Sequence, residues 1–230
     1  IISPKKGEKF MASKAKEYDL IVVGSGPGGE GAAMQAAKEG LKVAVIEKYS
    51  QVGGNCTHKA TIPSKALRQL AFRLTSVESD PLFNNYLSGK KINFSNLLER
   101  ASHVISQQVE RRKGHYQRNN VEVIRGTAKL KNENTLFVES QTTDLQEISA
   151  RGIVLATGSR PYRPSNIDFT NPRIFDSDTI LKLSENPNTV TIFGAGVVGC
   201  EYTSIFRALG KKVNLINTHP ELLSFLDEEI

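Results

Sequence analysis

The sequence predicts an α/β protein in which helices cover a parallel sheet, followed by the start of a second unit of the same kind. Two observations support this prediction. The pattern Gly-x-Gly-x-x-Gly occurs twice, beginning at Gly24 and again at Gly194. Each copy follows a short apolar run and precedes a segment rich in helix-forming residues, which is the order of a strand, a tight turn and a helix.

The first repeat contains every part of a β-α-β unit that binds a dinucleotide. Residues 18–24 form a run that is apolar apart from Asp19 and ends in glycine, as a buried parallel strand does. A helix is predicted up to Gly40 and a second strand over residues 42–46, after which comes Glu47. The carboxylate of Glu47 is therefore expected to accept hydrogen bonds from an adenosine ribose. The glycines that allow the tight turn, the approach of a pyrophosphate and the close packing of helix on strand are Gly24, Gly26 and Gly29.

A loop and a helix are predicted next, in a stretch that contains one of the two cysteines of the 230-residue chain. Residues 53–65 read GGNCTHKATIPSK, and Pro63 suits the first turn of a helix that continues through Leu74 at helical spacing. Residues 56–62 are therefore predicted to form a loop that leads into this helix. The other cysteine, Cys200, falls on a later predicted helix and is interpreted as a structural residue.

Between the two glycine-rich repeats the pattern predicts a long helix, a small β-meander and a further strand. Apolar residues at helical spacing and β-rich segments around the turn-forming KNEN sequence carry this prediction. The predicted elements are a helix over residues 93–119, β-rich segments over 121–130 and 135–140, a strand over 153–158, and a short helix over 176–183 capped by Ser177 or Asp178.

The second repeat restarts the same order of elements at residue 190. Counted from the first glycine of each repeat, Asn217 corresponds to Glu47. An acid at this position would repel a 2′-phosphate, so the neutral amide is expected to admit NADP(H) as well as NAD(H). The basic side chain close by in sequence is His219, and the alternative interpretation is that Asn217 merely ends a strand. The predicted elements are a strand over 190–194, a helix up to Gly210 and a strand over 212–216, with the glycines Gly194, Gly196 and Gly199.

Composition narrows the class of protein. The formal net charge of +6 fits either nucleic-acid binding or a basic surface that attracts anionic dinucleotides. The second interpretation is favoured, because the sequence lacks aromatic residues spaced as a nucleic-acid platform.

There is no apolar run of roughly 18 to 20 residues and no secretory signal pattern, so no membrane association and a cytoplasmic location are expected. No metal site is expected. Residues 1–17 are Lys-rich without apolar periodicity and are predicted to be a mobile tail.

The first repeat, the GGNC string at residues 53–56 and the IPSK string at residues 62–65 together resemble the flavoprotein disulfide reductase family. The resemblance covers residues 18–230 and implies a Rossmann-like FAD-binding domain followed by a Rossmann-like NAD(P)-binding domain. In that family the redox loop carries two cysteines in a Cys-x-x-x-x-Cys pattern. Here the two positions are Cys56 and Thr61, and this departure is similar to the branch of the family that transfers hydride between NADPH and NAD⁺.

The resemblance also implies roles for individual residues. Lys65 and Glu201 are expected to pair beside the flavin, where the ammonium group would stabilise negative charge on the reduced ring. Cys56 would lie near the flavin, with Thr61 replacing the second redox cysteine. The implied FAD-binding residues are Gly24, Gly26, Gly29, Glu47, Lys48, Gly54, Cys56, Lys65, Gly126, Ala128, Ala156, Thr157 and Gly158. The implied NAD(P)-binding residues are Gly194, Gly196, Gly199, Glu201 and Asn217.

The expected function is hydride transfer between NADPH and NAD⁺ through bound FAD. The alternatives are a lipoamide dehydrogenase-like diaphorase or reductase with another acceptor, and a nucleotide-binding fragment without catalysis. Residues 18–187 are expected to form an FAD-binding domain that lacks its C-terminal return segment, and residues 188–230 the first β-α-β of the NAD(P)-binding domain. The family resemblance implies a homodimer or higher homo-oligomer for the full-length protein.

Overall fold

The computed structural model of the protein describes residues 16–83, 92–140, 145–223 and 226–227. Its mixed α/β architecture confirms the predicted fold class. In chain order the elements are β1 (Lys16–Val23), α1 (Pro27–Lys38), β2 (Val43–Glu47), α2 (Gly54–His58), α3 (Thr61–Ser79), α4 (Phe94–Arg118), β3 (Glu122–Arg125), β4 (Thr127–Leu130), β5 (Thr135–Glu139), β6 (Gln146–Leu155), a single 3₁₀ turn (Ile180–Lys182), β7 (Thr189–Phe193), α5 (Val197–Ala208) and β8 (Lys212–Ile216).

The chain divides into two compact units. The first comprises Ile1–Gly54 with Gln108–Ser159, and the second comprises Asn55–Gln107 with Arg160–Ile230, each as far as the structure describes it. These units differ from the domains expected on either side of residue 187, and that domain boundary stays a prediction.

The first unit is built on a six-stranded sheet with the order β3-β2-β1-β6-β5-β4. The strands β3, β2, β1 and β6 are parallel, whereas β5 is antiparallel to both β6 and β4. Every residue of β2 is buried, as expected for a strand inside a parallel sheet. The carboxyl ends of the four parallel strands lie at one edge of the sheet, which is where open α/β sheets bind their ligands.

Apolar side chains pack on both faces of this sheet, because neighbouring residues of a strand point to opposite faces. Val22, Val43 and Val45 pack with Ala33 of α1 and with Tyr116 of α4. On the other face, Ile21, Ala44 and Ile46 pack with residues of β5 and β6, namely Leu136, Val138, Ile148 and Ala150.

The second unit contains the parallel pair β7-β8 and a helical core. Thr189 pairs with Lys212 and Phe193 with Ile216, so the two strands run in register along their full length. The rings of Phe94 and Phe206 stack with their centroids 4.8 Å apart. The buried residues of this core are Leu67 and Ala71 of α3, Phe94, Leu97 and Ala101 of α4, Tyr202, Ile205 and Phe206 of α5, and Leu183.

Three predicted element boundaries need correction. The predicted loop over residues 56–62 overlaps the short helix α2, and α3 begins at Thr61 rather than Pro63. Gly53 and Gly54 both have positive φ, 116° and 58°, which turns the chain directly into α2. The strand predicted over residues 153–158 begins earlier, at Gln146, and ends at Leu155.

The short helix predicted over residues 176–183 is wrong, since only the 3₁₀ turn Ile180–Lys182 forms. The side chain that bonds to the backbone amides at the start of this segment is neither Ser177 nor Asp178. Instead, Asp176 Oδ1 accepts hydrogen bonds from the amides of Asp178 at 3.0 Å and Thr179 at 2.8 Å. These bonds cap the start of the turn, and the chain leaves helical geometry at Leu183, which has an extended backbone with φ of −62° and ψ of 111°.

Most of the predicted N-terminal tail lies outside the described residues. Its last two residues, Lys16 and Glu17, belong to β1 and pair with Ile148 and Ser149 of β6. In the described part of the chain, no helix is both long and apolar enough to cross a bilayer.

Candidate functional site

The first glycine-rich turn requires glycine at two of its positions. Gly24 has a φ of 105°, and a Cβ there would lie 2.3 Å from the carbonyl oxygen of Ala156. A Cβ on Gly29 would lie 1.9 Å from the carbonyl oxygen of Gly24, so helix and strand meet at this point without a side chain between them. Gly26 is the N-cap of α1 and provides no side-chain hydrogen bond to the helix. The first turn of α1 is therefore suited to bind a phosphate through its backbone.

Glu47 is buried at the end of β2 and bonds to the glycine-rich turn. Its Oε2 accepts hydrogen bonds from the backbone amide of Ser25 at 3.0 Å and from the Ser25 hydroxyl at 2.5 Å. Its Oε1 accepts a hydrogen bond from the amide of Tyr49 at 3.0 Å. The Ser25 hydroxyl also accepts a hydrogen bond from the Gly53 amide at 3.0 Å, which ties the following loop to the same carboxylate. A carboxylate oxygen can accept more than one bond, so binding of a ribose by Glu47 stays a prediction that the geometry permits.

Gly54 lies directly against the glycine-rich turn. A Cβ on Gly54 would be 2.7 Å from the Cα of Gly26, and Gly54 has a left-handed φ of 58°. Gly54 has no room for a side chain, and Gly26, where a Cβ would meet only the Cα of Gly54 at 3.9 Å, carries none. The space beside the turn is therefore formed by backbone alone, as close approach of a pyrophosphate requires.

Most of the other residues that the family resemblance implied lie at the same edge of the sheet. The amide of Gly126 donates to the carbonyl of Glu47 at 3.0 Å, and a Cβ on Gly126 would lie 2.4 Å from Val138. The amide of Ala156 donates to the carbonyl of Val23 at 2.8 Å, which places Ala156 beside Gly24. Thr157 and Gly158 follow Ala156, and Ala128 lies on β4. Lys48 is exposed, and its ammonium lies 4.9 Å from the ring centroid of Tyr49.

Tyr116 is a candidate site residue that sequence reasoning missed. Its ring is buried and it lines a cavity of about 280 Å³ together with Glu47, Val52 and Arg125. The Tyr116 hydroxyl is buried without a hydrogen-bond partner among the described residues. Burial raises the pKa of this hydroxyl, and the negative charges of Glu30 and Glu47 raise it further. The positive charge of Arg112 lowers the pKa and offsets part of this increase. The hydroxyl therefore stays protonated and can donate to a polar ligand atom.

A charged cluster holds the last turns of α4 against α1. The guanidinium Nε of Arg112 lies 3.1 Å from Glu30 Oε2, and both side chains are mostly buried. His115 Nδ1 lies 3.2 Å from the other oxygen of Glu30. Arg112 also donates to the side chain of Gln108 at 2.9 Å. This cluster positions the part of α4 that carries Tyr116.

In the second unit, the structure brings Lys65 of α3 and Glu201 of α5 together. Lys65 Nζ lies 2.5 Å from Glu201 Oε1, with 61% of the lysine side chain and 12% of the glutamate side chain exposed. The next residue, Tyr202, is buried, and burial together with the charges of Glu201 and Asp178 raises its pKa to about 12. The ion pair that the resemblance implied is present, and its position beside a flavin stays a prediction.

The Cys56 region contains a single thiol. Cys56 is half-buried and free, and Thr61 is exposed as the first residue of α3. Between them, Thr57 is fully buried, and its hydroxyl has no hydrogen-bond partner in the described part of the chain. Lys59 Nζ lies 3.4 Å from the carboxylate of Asp178. The other thiol, Cys200, donates to the carbonyl of Ala195 at 3.4 Å.

The second glycine-rich turn repeats the geometry of the first. Gly194 has a φ of 103°, and a Cβ on Gly199 would lie 1.9 Å from the carbonyl oxygen of Gly194. Gly196 is the N-cap of α5 and again provides no side-chain hydrogen bond to the helix. Asn217 follows β8, and its side chain bonds to Ala195 of the turn and to the loop that comes after the strand. Within the described ranges, no group of three or more His, Cys, Asp or Glu side chains could hold a metal ion.

Two glycine-rich turns, each between a parallel strand and a helix without a side-chain cap, define a dinucleotide-binding α/β protein. The chain belongs to the pyridine nucleotide-disulphide oxidoreductase family, whose model matches residues 18–230. It is 54% identical over 217 residues to the soluble pyridine nucleotide transhydrogenase of Colwellia psychrerythraea, with 94% of this chain and 47% of that protein covered. The transhydrogenase of Erwinia tasmaniensis is 49% identical over 217 residues, with the same coverage of both chains. The chain therefore spans about half the length of the curated relatives it matches.

Solved structures of a flavoprotein disulfide reductase have the same fold. The HOCl-induced flavoprotein disulfide reductase RclA from Escherichia coli is 27% identical, with a TM-score of 0.77 over 93% of this chain and 45% of that chain. The Cu(II) complex of the same protein gives a TM-score of 0.79 at 27% identity, covering 94% of this chain and 45% of that one.

Proposed function

We propose that the protein binds FAD and transfers hydride between NADPH and NAD⁺. The observation that carries this proposal is the combination of Cys56 and Thr61 with an intact Lys65–Glu201 ion pair. A hydroxyl at residue 61 cannot form a disulfide with Cys56, so the chain lacks the dithiol that a disulfide reductase needs at these positions. The names of the relatives at 54% and 49% identity support the same activity.

The first unit offers groups that fit the adenosine and pyrophosphate parts of FAD. The turn at Gly24 and Gly26, together with Gly54, leaves backbone without side chains, as a pyrophosphate at a helix N-terminus requires. The carboxylate of Glu47 can accept a further hydrogen bond from a ribose hydroxyl. The Tyr116 hydroxyl is a hydrogen-bond donor without a partner among the described residues. FAD, when bound, supplies a carrier that accepts and returns two electrons with a proton.

The remaining residues would position the reactants and stabilise charge. We assign to Lys65 the stabilisation of negative charge near the flavin ring, with Glu201 holding its ammonium in place. The second glycine-rich turn, with Gly194, Gly196 and Gly199, would bind NADPH and NAD⁺ in succession. Cys56 has no required role in this scheme, because the dinucleotides exchange hydride without a thiol.

We also propose the domain boundary, the cellular location and the oligomeric state of the full-length protein. Residues 18–187 would belong to the FAD-binding domain and residues 188–230 to the NAD(P)-binding domain. The full-length protein would be cytoplasmic and form a homodimer or higher homo-oligomer. Light scattering on the purified full-length protein tests the oligomeric part, and a monomeric mass would contradict it.

The activity is tested on the full-length, FAD-loaded protein with NADPH as donor and thionicotinamide adenine dinucleotide as acceptor, whose reduction has its own absorbance band. We expect transfer in the wild type and comparable transfer in the Cys56→Ser variant. The Thr61→Cys variant restores the second thiol and tests whether a dithiol diverts electrons from this acceptor. Absence of transfer by wild-type protein that still reduces a quinone or an external disulfide would refute the proposal in favour of a reductase.

A further inference from the structure

The two glycine-rich repeats correspond residue for residue from Gly24 to Gly53 and from Gly194 to Leu223, without insertion. The last residue of each repeat has a positive φ, 116° at Gly53 and 52° at Leu223. Leucine rarely adopts this conformation, so the second repeat keeps the backbone course of the first at the cost of some local strain. The other corresponding residues with positive φ are Gly24 with Gly194, at 105° and 103°, and Gly40 with Gly210, at 79° and 70°.

The side chains at the end of the second strand bridge the same positions in both repeats, but with opposite hydrogen-bond polarity towards the loop. Glu47 accepts from the amide of Tyr49, two residues further on, at 3.0 Å. Asn217 donates through Nδ2 to the carbonyl of His219, also two residues further on, at 2.8 Å. Nδ2 also donates to the carbonyl of Glu221 at 2.9 Å. The loop of the second repeat therefore turns two carbonyl oxygens towards residue 217, where the first repeat turns an amide.

Residues 217–223, the 217–223 loop, are also tied to the second glycine-rich turn at both ends. The amide of Ala195 lies 3.5 Å from Asn217 Oδ1, and the amide of Leu223 donates to the carbonyl of Ala195 at 3.4 Å. The first repeat has the corresponding contacts, from Ser25 to Glu47 and from Gly53 to Ser25. Asn217 is thus the side chain that joins the glycine-rich turn to the loop that follows β8.

We propose that Asn217 is a positioning residue that holds the 217–223 loop against the second glycine-rich turn, and that the loop carbonyls exclude an acid at this position. This inference rests on the proposed function, in which that turn binds the nicotinamide dinucleotides. Both protons of the Asn217 amide already bind loop carbonyls, so the side chain has no remaining donor for a 2′-phosphate. Selectivity between the two dinucleotides therefore does not depend on direct contact with Asn217.

Loop positioning and charge repulsion predict different effects of an acid at residue 217. An aspartate would place an acceptor oxygen where the amide now donates to the carbonyls of His219 and Glu221, so the loop would lose both bonds and be repelled. If Asn217 acted only through its lack of charge, Asn217→Asp would weaken the binding of NADPH alone and retain the binding of NADH. If Asn217 positions the loop, the same substitution weakens the binding of both dinucleotides. The uncharged Asn217→Leu variant has the same number of side-chain heavy atoms and no donor, so it should behave in the same way.

The test is titration of NADH and NADPH into the full-length protein, followed by nucleotide fluorescence. We expect Asn217→Asp and Asn217→Leu each to raise both dissociation constants by about tenfold or more. The matched controls are Asn214→Asp and Asn214→Leu on the same strand. Asn214 is exposed and donates to the side chain of Thr191 at 3.2 Å, so both constants should stay within about twofold of the wild type. An Asn217→Asp variant that keeps its NADH affinity and loses only NADPH overturns the inference.

Hydrogen exchange followed by mass spectrometry separates a local loop effect from loss of folding. In both Asn217 variants, exchange should increase over the 217–223 loop while the segment Val197–Ala208 keeps its protection. Unchanged loop exchange contradicts the positioning role, whatever the nucleotide affinities are. Wild-type protein that binds neither dinucleotide would refute the proposed function, and the loop exchange would still decide whether Asn217 positions the loop.

Discussion

Lys65 Nζ and Glu201 Oε1 lie 2.5 Å apart although 136 positions separate them in the chain. The pair forms because α3 and α5 share the core of the second unit, where Leu67 and Ile205 are fully buried. The lysine side chain is more than half exposed, so solvent screens the attraction. An ion pair of this kind contributes at most about 1 kcal/mol to stability. The small contribution of this pair to folding leaves its proposed role at the flavin as the one that can be tested by substitution.

The first prediction concerns Glu201→Gln. Removal of the carboxylate frees the Lys65 ammonium to adopt other orientations, so charge stabilisation at the proposed flavin site is weakened. We expect reduction of the bound flavin by NADPH to slow by about a hundredfold, while the free energy of unfolding changes by less than about 1 kcal/mol. Stopped-flow absorbance of the flavin and urea denaturation measure the two quantities.

The matched control is Glu110→Gln, which removes the carboxylate from the exposed pair of Glu110 with Lys113 on α4. Neither the rate nor the stability should change in this variant. A Glu201→Gln variant that reduces its flavin at the wild-type rate would show that the ion pair has no part in the reaction.

A second prediction concerns Gly54→Ala. The new Cβ would lie 2.7 Å from the Cα of Gly26, and alanine would have to adopt a φ of 58°. We expect a loss of about 2 kcal/mol in stability, together with weaker flavin binding, because the turn must move to relieve the contact. Calorimetry of the flavin-free protein and a flavin titration measure these effects.

Gly31→Ala is the control for that substitution. Gly31 lies inside α1, and a Cβ there would meet nothing within 4 Å. Alanine should therefore stabilise the helix by up to about 1 kcal/mol. If both alanine variants stabilised the protein, the close approach of Gly54 to Gly26 would not exist in solution.

The predictable part of the fold is the part encoded by local pattern. The apolar runs, the glycine spacing and the amphipathic helix each depend on residues that are neighbours in sequence, and so the order of strands and helices followed from them. The position of Glu47 at the end of β2 followed in the same way. The spacing also identified Asn217 as its counterpart, although the reversed hydrogen-bond polarity of its loop could not be read from side-chain identity.

The missed part of the candidate site depends on contacts between distant segments. Ser25 occupies a variable position of the glycine motif, and only the fold shows that its hydroxyl links Glu47 to Gly53. In the sequence, Tyr116 is one more residue of a predicted amphipathic helix. Only the packing of α4 on the sheet shows that its hydroxyl is buried. The helix predicted over residues 176–183 is reduced to the turn Ile180–Lys182, because the backbone becomes extended at Leu183, which helical periodicity does not report.

A third prediction concerns the contact of Arg112 with Glu30 in the first unit. Only 13% and 16% of the two side chains are exposed, so removal of one partner leaves a charge with poor access to water. We expect Arg112→Met to lower the free energy of unfolding by about 2 to 4 kcal/mol. The double variant Glu30→Gln/Arg112→Met, which removes both charges, should recover at least half of that loss. Urea denaturation of the single and double variants measures the coupling.

Arg111→Met is the control for the loss of a cation from α4, since Arg111 is exposed. This variant should change stability by no more than about 0.5 kcal/mol. A double variant less stable than Arg112→Met alone would contradict the interpretation that the uncompensated charge of Glu30 causes the loss.

The last prediction concerns the pH dependence of stability at Asp176. Burial would raise its pKa, but hydrogen bonds from Thr179 and Arg163 outweigh burial and hold the pKa below its ordinary value. A depressed folded-state pKa means that the stabilisation is complete above the unfolded value of about 3.9 and is lost as pH falls through the folded value. We therefore expect Asp176→Asn to cost about 1 to 2 kcal/mol at neutral pH and progressively less below about pH 4. The Thr179→Val variant, which removes the hydroxyl donor at 2.8 Å, should show a smaller version of the same trend. Urea denaturation across this pH range measures it, and a cost of Asp176→Asn that stays constant on acidification would contradict the assignment.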